Sequence, residues 1–170
     1  KVKGKDALLC LLTDTIDAEV MDAAGEQLKV IANYAVGYNN IDVKAATKRG
    51  IPITNTPGVL TDATADLAMA LLFAITRRIV ESDKYTREGR FKGWGPMLHL
   101  GGDIYGKKMG IIGCGRIGSA VAKRAAKGFA MEVLYNDHER RTELEKELGM
   151  KYKTLEEILK EADFISMHVP

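Results

Sequence analysis

The chain has 170 residues, 46% of them hydrophobic and 28% charged, with a formal net charge of +2 spread along its length. That size suits one domain or two small lobes, and the balance excludes disordered, collagen-like and disulfide-scaffold classes. With no pooled basic stretch, no apolar run near the ~20 residues a membrane span needs and no basic-then-apolar start, it points to no nucleic-acid or membrane partner and reads as soluble and cytoplasmic. In chain order, residues 7–12, 28–32 and 51–54 are short continuous apolar segments that read as strands. Residues 16–24 and 43–49 repeat apolar side chains at three and four positions and read as helices, with Asp14 or Thr15 and then Asp42 placed as N-caps. Apolar strands separated by helices imply a parallel sheet covered on both faces, hence an α/β fold.

After the turn signal Thr56-Pro57-Gly58, residues 61–88 carry an uninterrupted helical pattern. Its first half is apolar nearly all round and is expected to be buried. Residues 89–106 hold six glycines with Trp94, Pro96 and Tyr105, the composition of a linker or excursion loop. From Lys107 the alternation resumes: strands at 109–112, 133–136, 151–152 and 164–169, helices at 117–127, 143–148 and 155–161. Thr142-x-x-Glu145 and Thr154-x-x-Glu157 both fit the capping box.

The strongest chemical signal is Gly113-Cys114-Gly115-Arg116-Ile117-Gly118, which fills GxGxxG between a strand and a helix. Gly113 permits the tight turn, Gly115 leaves room for a pyrophosphate, and Gly118 lets the helix pack on the sheet. Free N–H groups and the positive end of the helix dipole then face the phosphates. Asp137 stands 19 residues after Gly118, at the end of the next strand, where a carboxylate accepts the ribose hydroxyls and repels a 2′-phosphate. NAD is therefore expected over NADP, although His138, Arg140 and Arg141 follow at once and offer cations to a phosphate. Cys10 and Cys114 have no CxxC partner and read as reduced thiols, and the three histidines lack metal-ligand spacing.

The chain resembles the D-isomer-specific 2-hydroxyacid dehydrogenases, and within them the glyoxylate and hydroxypyruvate reductases. The residues that carry the likeness are the run from Asn33 to Asp42 (NYAVGYNNID), that from Asn55 to Asp66 (NTPGVLTDATAD), Trp94-Gly95-Pro96, the glycine loop and His168-Val169-Pro170. The resemblance implies a Rossmann-type doubly wound sheet inserted into a flavodoxin-like substrate domain. Residues 1–57 would belong to the substrate domain and 58–170 to the NAD-binding domain, including the long helix and the 89–106 loop. It also implies that Val36 and Gly37 hold the substrate carboxylate, at the carboxyl edge of a parallel sheet where such folds bind ligands. Thr64 would lie beside the nicotinamide, Arg116 and Ile117 would meet the pyrophosphate, and His168, Val169 and Pro170 would line the adenosine pocket.

In such enzymes an Arg, a Glu and a His fix the 2-oxo acid and deliver the proton. Those residues come from segments after the point where this chain stops, so no catalytic residue is assigned within it. The chain starts at Lys1 rather than Met and stops at Pro170 after an apolar run, so both ends are expected to be cut and the fragment inactive alone. The expected activity of the parent protein is NAD-dependent reduction of glyoxylate or hydroxypyruvate. A non-catalytic NAD(H)-sensing regulator and a 3-phosphoglycerate dehydrogenase are the alternatives. Apolar residues in the 89–106 loop are expected to pack on a second subunit, giving a homodimer.

Overall fold

In the first sixty residues three parallel strands alternate with two helices: β1 (Ala7–Cys10), α1 (Ala18–Ala24), β2 (Val30–Asn33), α2 (Val43–Lys48) and β3 (Ile53–Thr54). The computed structural model describes residues 1–169, which divide into two compact units, Lys1–Leu60 and Thr61–Val169. In the first unit the order is β1-β2-β3, with Leu8 opposite Ile31 and Ile31 opposite Ile53. Right-handed crossovers made in one direction place both helices on one face. Met21, Ala24, Ala45 and Ala46 accordingly pack with Leu8, Cys10 and Ile31. Among the described residues only that face of the sheet is covered, and Leu9, on the opposite face, is 79% exposed.

Asp42 caps α2 as expected, accepting from the N–H of Ala45 at 2.9 Å. The cap of α1 is Asp17, not Asp14 or Thr15. Ile16 is drawn into a parallel bridge with Ile41 instead, which holds the chain extended up to Asp17. Asp14 turns its carboxylate to the N–H of Leu11.

The second unit opens with α3 (Thr61–Thr76) and α4 (Ile79–Arg87), then β4 (Lys108–Ile112), α5 (Arg116–Phe129), β5 (Glu132–Asn136), α6 (Thr142–Leu148), β6 (Lys151–Tyr152), α7 (Leu155–Glu161) and β7 (Phe164–Met167). All four strands run parallel in the order β6-β5-β4-β7. β4 and β5 each bury three consecutive residues, which marks a sheet covered on both faces. Val121, Ala122 and Ala125 of α5 pack with Met109, Ile111 and Val133. Fully burying each of the larger apolar side chains here stabilises the fold by roughly 1.5–3 kcal/mol.

Two expectations for residues 61–88 are corrected. The helix is not continuous: Arg78 takes a left-handed conformation, φ 53°, between α3 and α4. The N–H of Gly102 donates to the Thr76 carbonyl at 2.9 Å, occupying the acceptor that an unbroken helix would offer to Val80. Nor is the first half buried all round. Ala65 and Met69 face the core, whereas Leu67, Leu71 and Ile75, spaced by four, are more than half exposed. The Thr154 capping box forms, but the Thr142 box does not. The carboxylate of Glu145 is engaged elsewhere, by Arg140 and Tyr135.

Candidate functional site

After β4 the chain leaves toward β5 on one side, and β7 later joins on the other, so a crevice opens at the carboxyl end of β4. Gly113 occupies that point. Its φ of +87° is a left-handed turn, and a Cβ there would lie 2.7 Å from the carbonyl oxygen of His168. Its N–H donates to Asn136 at 2.9 Å, and the N–H of His168 donates to Ile112 at 2.7 Å, tying the turn to both neighbouring strands. A Cβ on Gly118 would sit 2.1 Å from the Gly113 carbonyl oxygen, so α5 approaches the turn as closely as a glycine allows. At Gly115 a Cβ would meet nothing within 4 Å: this glycine faces open space.

Among the described residues the N–H groups of Arg116 and Ile117 have no protein acceptor, as expected of a helix's first turn, and they are free for an anion. The adjoining cleft, about 690 Å³, is lined by Gly115, Arg116, Ser119, Arg140 and Arg141 among others. A diphosphate fits these features: open glycine, free amides and the Arg116 side chain on the cleft wall. Cys114 lies in the bend with its thiol against Ser119, and burial pushes that thiol above its ordinary pKa, so it is a protonated filler.

Asp137 follows the last residue of β5. One carboxylate oxygen accepts from the N–H of Cys114 at 2.7 Å and from Arg141 at 3.3 Å, and the other accepts from the N–H of Glu139 at 3.4 Å. Burial works to raise its pKa, but the two amides and the guanidinium outweigh it and hold the carboxyl below the usual range. The group is an anion at the rim of the bend.

Thr64, on α3, and His168, just after β7, line a second cavity of about 360 Å³ in this unit. His168 shares a 2.8 Å hydrogen bond with the Ser166 hydroxyl, and burial lowers its pKa, so it is neutral near pH 7. Val169 is half exposed beside Gly113. Pro170 lies outside the described residues. No histidine pairs with a carboxylate among the described residues.

In the first unit, Val36 and Gly37 lie on the loop after β2. The Val36 carbonyl accepts from Asn55 at 2.8 Å, and the Gly37 carbonyl accepts from Asn33 at 2.7 Å. Both carbonyls are thus occupied by side-chain amides, while the Val36 and Gly37 N–H groups have no protein acceptor among the described residues. Asn33 is 2% exposed and is braced by Asn40, whose amide also donates to the carbonyls of Leu11 and Asp14. These supporting asparagines are not among the site residues expected from sequence. The available signal was a polar side chain closing an otherwise apolar strand.

Residues 69–170 match the family model described as "D-isomer specific 2-hydroxyacid dehydrogenase, NAD binding domain". The chain is 61% identical, over its whole length, to a glyoxylate reductase of Korarchaeum cryptofilum, of which it covers 51%. It superposes on the TT0316 protein of Thermus thermophilus with a TM-score of 0.92 at 50% identity, covering 99% of this chain and 52% of that one. With D-lactate dehydrogenase from Aquifex aeolicus, solved with NAD and lactic acid, the TM-score is 0.88 at 31% identity, covering 99% of this chain and 49% of that one. The chain spans about half the length of the curated relatives it matches.

Proposed function

We propose that this chain, which belongs to the D-isomer specific 2-hydroxyacid dehydrogenases by its NAD-binding domain, is part of an NAD-dependent reductase of small 2-oxo acids, glyoxylate or hydroxypyruvate. NAD is the cofactor. The observation that carries the reading is the junction of β4 and α5, where an open glycine, free first-turn amides and the Asp137 carboxylate converge on one bend.

In this reading Gly113, Gly115, Arg116, Ile117 and Gly118 receive the pyrophosphate, and Asp137 takes the ribose hydroxyls. Thr64 stands on the nicotinamide side, and His168 and Val169 border the adenosine. When bound, the nicotinamide supplies the hydride for the 2-oxo carbon. The free amides of Val36 and Gly37 hold the substrate carboxylate, and Asn33 and Asn55 keep those amides presented by occupying the carbonyls on the same loop. The proton donor and the cation that polarises the ketone are assigned outside these residues, so the 170-residue polypeptide alone binds dinucleotide without turnover. The two buried free thiols suit a reducing, cytoplasmic setting.

The loop at 89–106 is assigned to a homodimer interface. Trp94 and Met97 are 85% and 76% exposed, and Phe91 and Leu100 are also more than half exposed. The activity is tested by following NADH oxidation with glyoxylate, hydroxypyruvate and 3-phosphohydroxypyruvate. Turnover of the first two supports the reading. Preference for the phosphorylated acid, or NADH binding without turnover by the full-length protein, overturns it.

A further inference from the structure

Three guanidinium groups, Arg116, Arg140 and Arg141, line the cleft beside the glycine bend. By charge alone such a wall suits a phosphorylated ribose, since paired charged hydrogen bonds from Arg to phosphate are strong. Two of the three are already engaged. Arg141 pairs with Asp137 at 3.3 Å and with Glu139 at 3.8 Å. Arg140 donates from Nε and Nη2 to the two carboxylate oxygens of Glu145, at 3.1 and 2.7 Å, and lies over the Tyr152 ring, 5.6 Å from its centroid.

Glu145 is itself fixed from the core side. The hydroxyl of the fully buried Tyr135 donates to it at 2.6 Å, and the same hydroxyl accepts from the N–H of Arg141 at 2.7 Å. Tyr135 also meets Tyr152 edge-on at 5.4 Å, so the ring beneath Arg140 is anchored too. Glu145 sits where a capping box would turn it back to the main chain, yet it is committed to Arg140 and Tyr135 instead.

We infer that Glu145 is a specificity-determining residue: it holds the Arg140 guanidinium in a two-pronged pair and so withholds that cation from a ribose 2′-phosphate. Discrimination against NADP then rests on two carboxylates. Asp137 acts by repulsion at the ribose, and Glu145 acts one step removed, by occupying Arg140, one of the three cations that line the cleft. The inference rests on the reading of this cleft as the dinucleotide site.

The test measures NADH and NADPH dissociation constants by nicotinamide fluorescence on the full-length protein at fixed salt. In an Asp137→Ser background, adding Glu145→Gln should tighten NADPH binding by about tenfold, the gain of one charged pair, while NADH changes by less than about twofold. Adding Arg140→Ala to that double variant should erase the gain. No gain, or a gain that survives loss of Arg140, overturns the proposal. A second arm leaves Glu145 untouched: Asp137→Ser/Arg140→Ala should bind NADPH as Asp137→Ser does, and a loss of about tenfold would mean that Arg140 already serves the phosphate. If the unmodified protein binds no NADH, the cofactor reading falls and takes this inference with it. If NADH binds and the variants do not separate, the inference falls alone.

Discussion

The carboxylate of Asp137 and the main-chain N–H of Cys114 lie 2.7 Å apart, so the end of β5 grips the bend that follows β4 before any ligand arrives. Because the folded-state pKa of Asp137 is held below its unfolded value, its ionised form stabilises the fold above the ordinary carboxylate pKa. That contribution fades as pH falls through the lower folded-state value. Asp137→Asn keeps an acceptor for Cys114 and removes only the charge. It should cost on the order of 1 kcal/mol at neutral pH. The difference from the unmodified protein, read from urea unfolding, should shrink as the pH is taken below about 4. An equal difference at both pH values would mean that ionisation plays no part.

The two glycines that flank Arg116 and Ile117 should respond in opposite ways. Gly118→Ala places a methyl against the Gly113 carbonyl and should destabilise by roughly 1–3 kcal/mol. Gly115→Ala meets open space and should leave the melting temperature nearly unchanged while weakening NADH binding. Thermal melts and a fluorescence titration separate the two effects, and a stability loss at Gly115 matching that at Gly118 would contradict the geometry.

Asn33→Ala strips the partner from the Gly37 carbonyl and from the Asn40 amide inside a nearly sealed pocket, a cost of about 1–3 kcal/mol. Asn55 is less buried, so Asn55→Ala should be milder for stability. In the full-length enzyme both should raise KM for the 2-oxo acid more than they lower kcat, because the loop amides lose their fixed direction. A fall in kcat at unchanged KM would place these residues in some other role.

Replacing Trp94 and Met97 together with Ser should weaken self-association by at least about tenfold, since exposed aromatic anchors carry much of an interface's energy. Sedimentation velocity across a concentration series reads the shift. An unmodified protein that stays monomeric at micromolar concentration would remove the dimer assignment.

The alternation of strands and helices and the glycine bend were legible in the sequence because their signals are local: apolar runs, caps, and three glycines at fixed spacing. Thr154 and Asp42 illustrate the same point, each satisfying amides within its own helix. What escaped was set by contacts far along the chain. The break at Arg78 depends on an amide about two dozen residues later, and Asp17 rather than Asp14 caps α1 because Ile16 is claimed by Ile41. Glu145 matched a capping box, yet Tyr135 and Arg140 compete for its carboxylate, and no spacing rule ranks those partners. The support of the Val36–Gly37 loop by Asn33 and Asn55 is likewise tertiary.

The hydrogen bond from Gly102 to Thr76, reinforced by the Arg77–Asp103 pair, has a topological effect. Residues 77–102 depart from and return to the same spot, forming a handle whose two roots are pinned together. Because the roots are pinned, lengthening or exchanging the handle adds little further loop-closure entropy and places no strain on α3 or β4. Any exchange of this segment must keep Gly101, where a Cβ would lie 2.5 Å from the Thr76 carbonyl oxygen, so the root of the handle and not its tip sets which replacements α3 accepts.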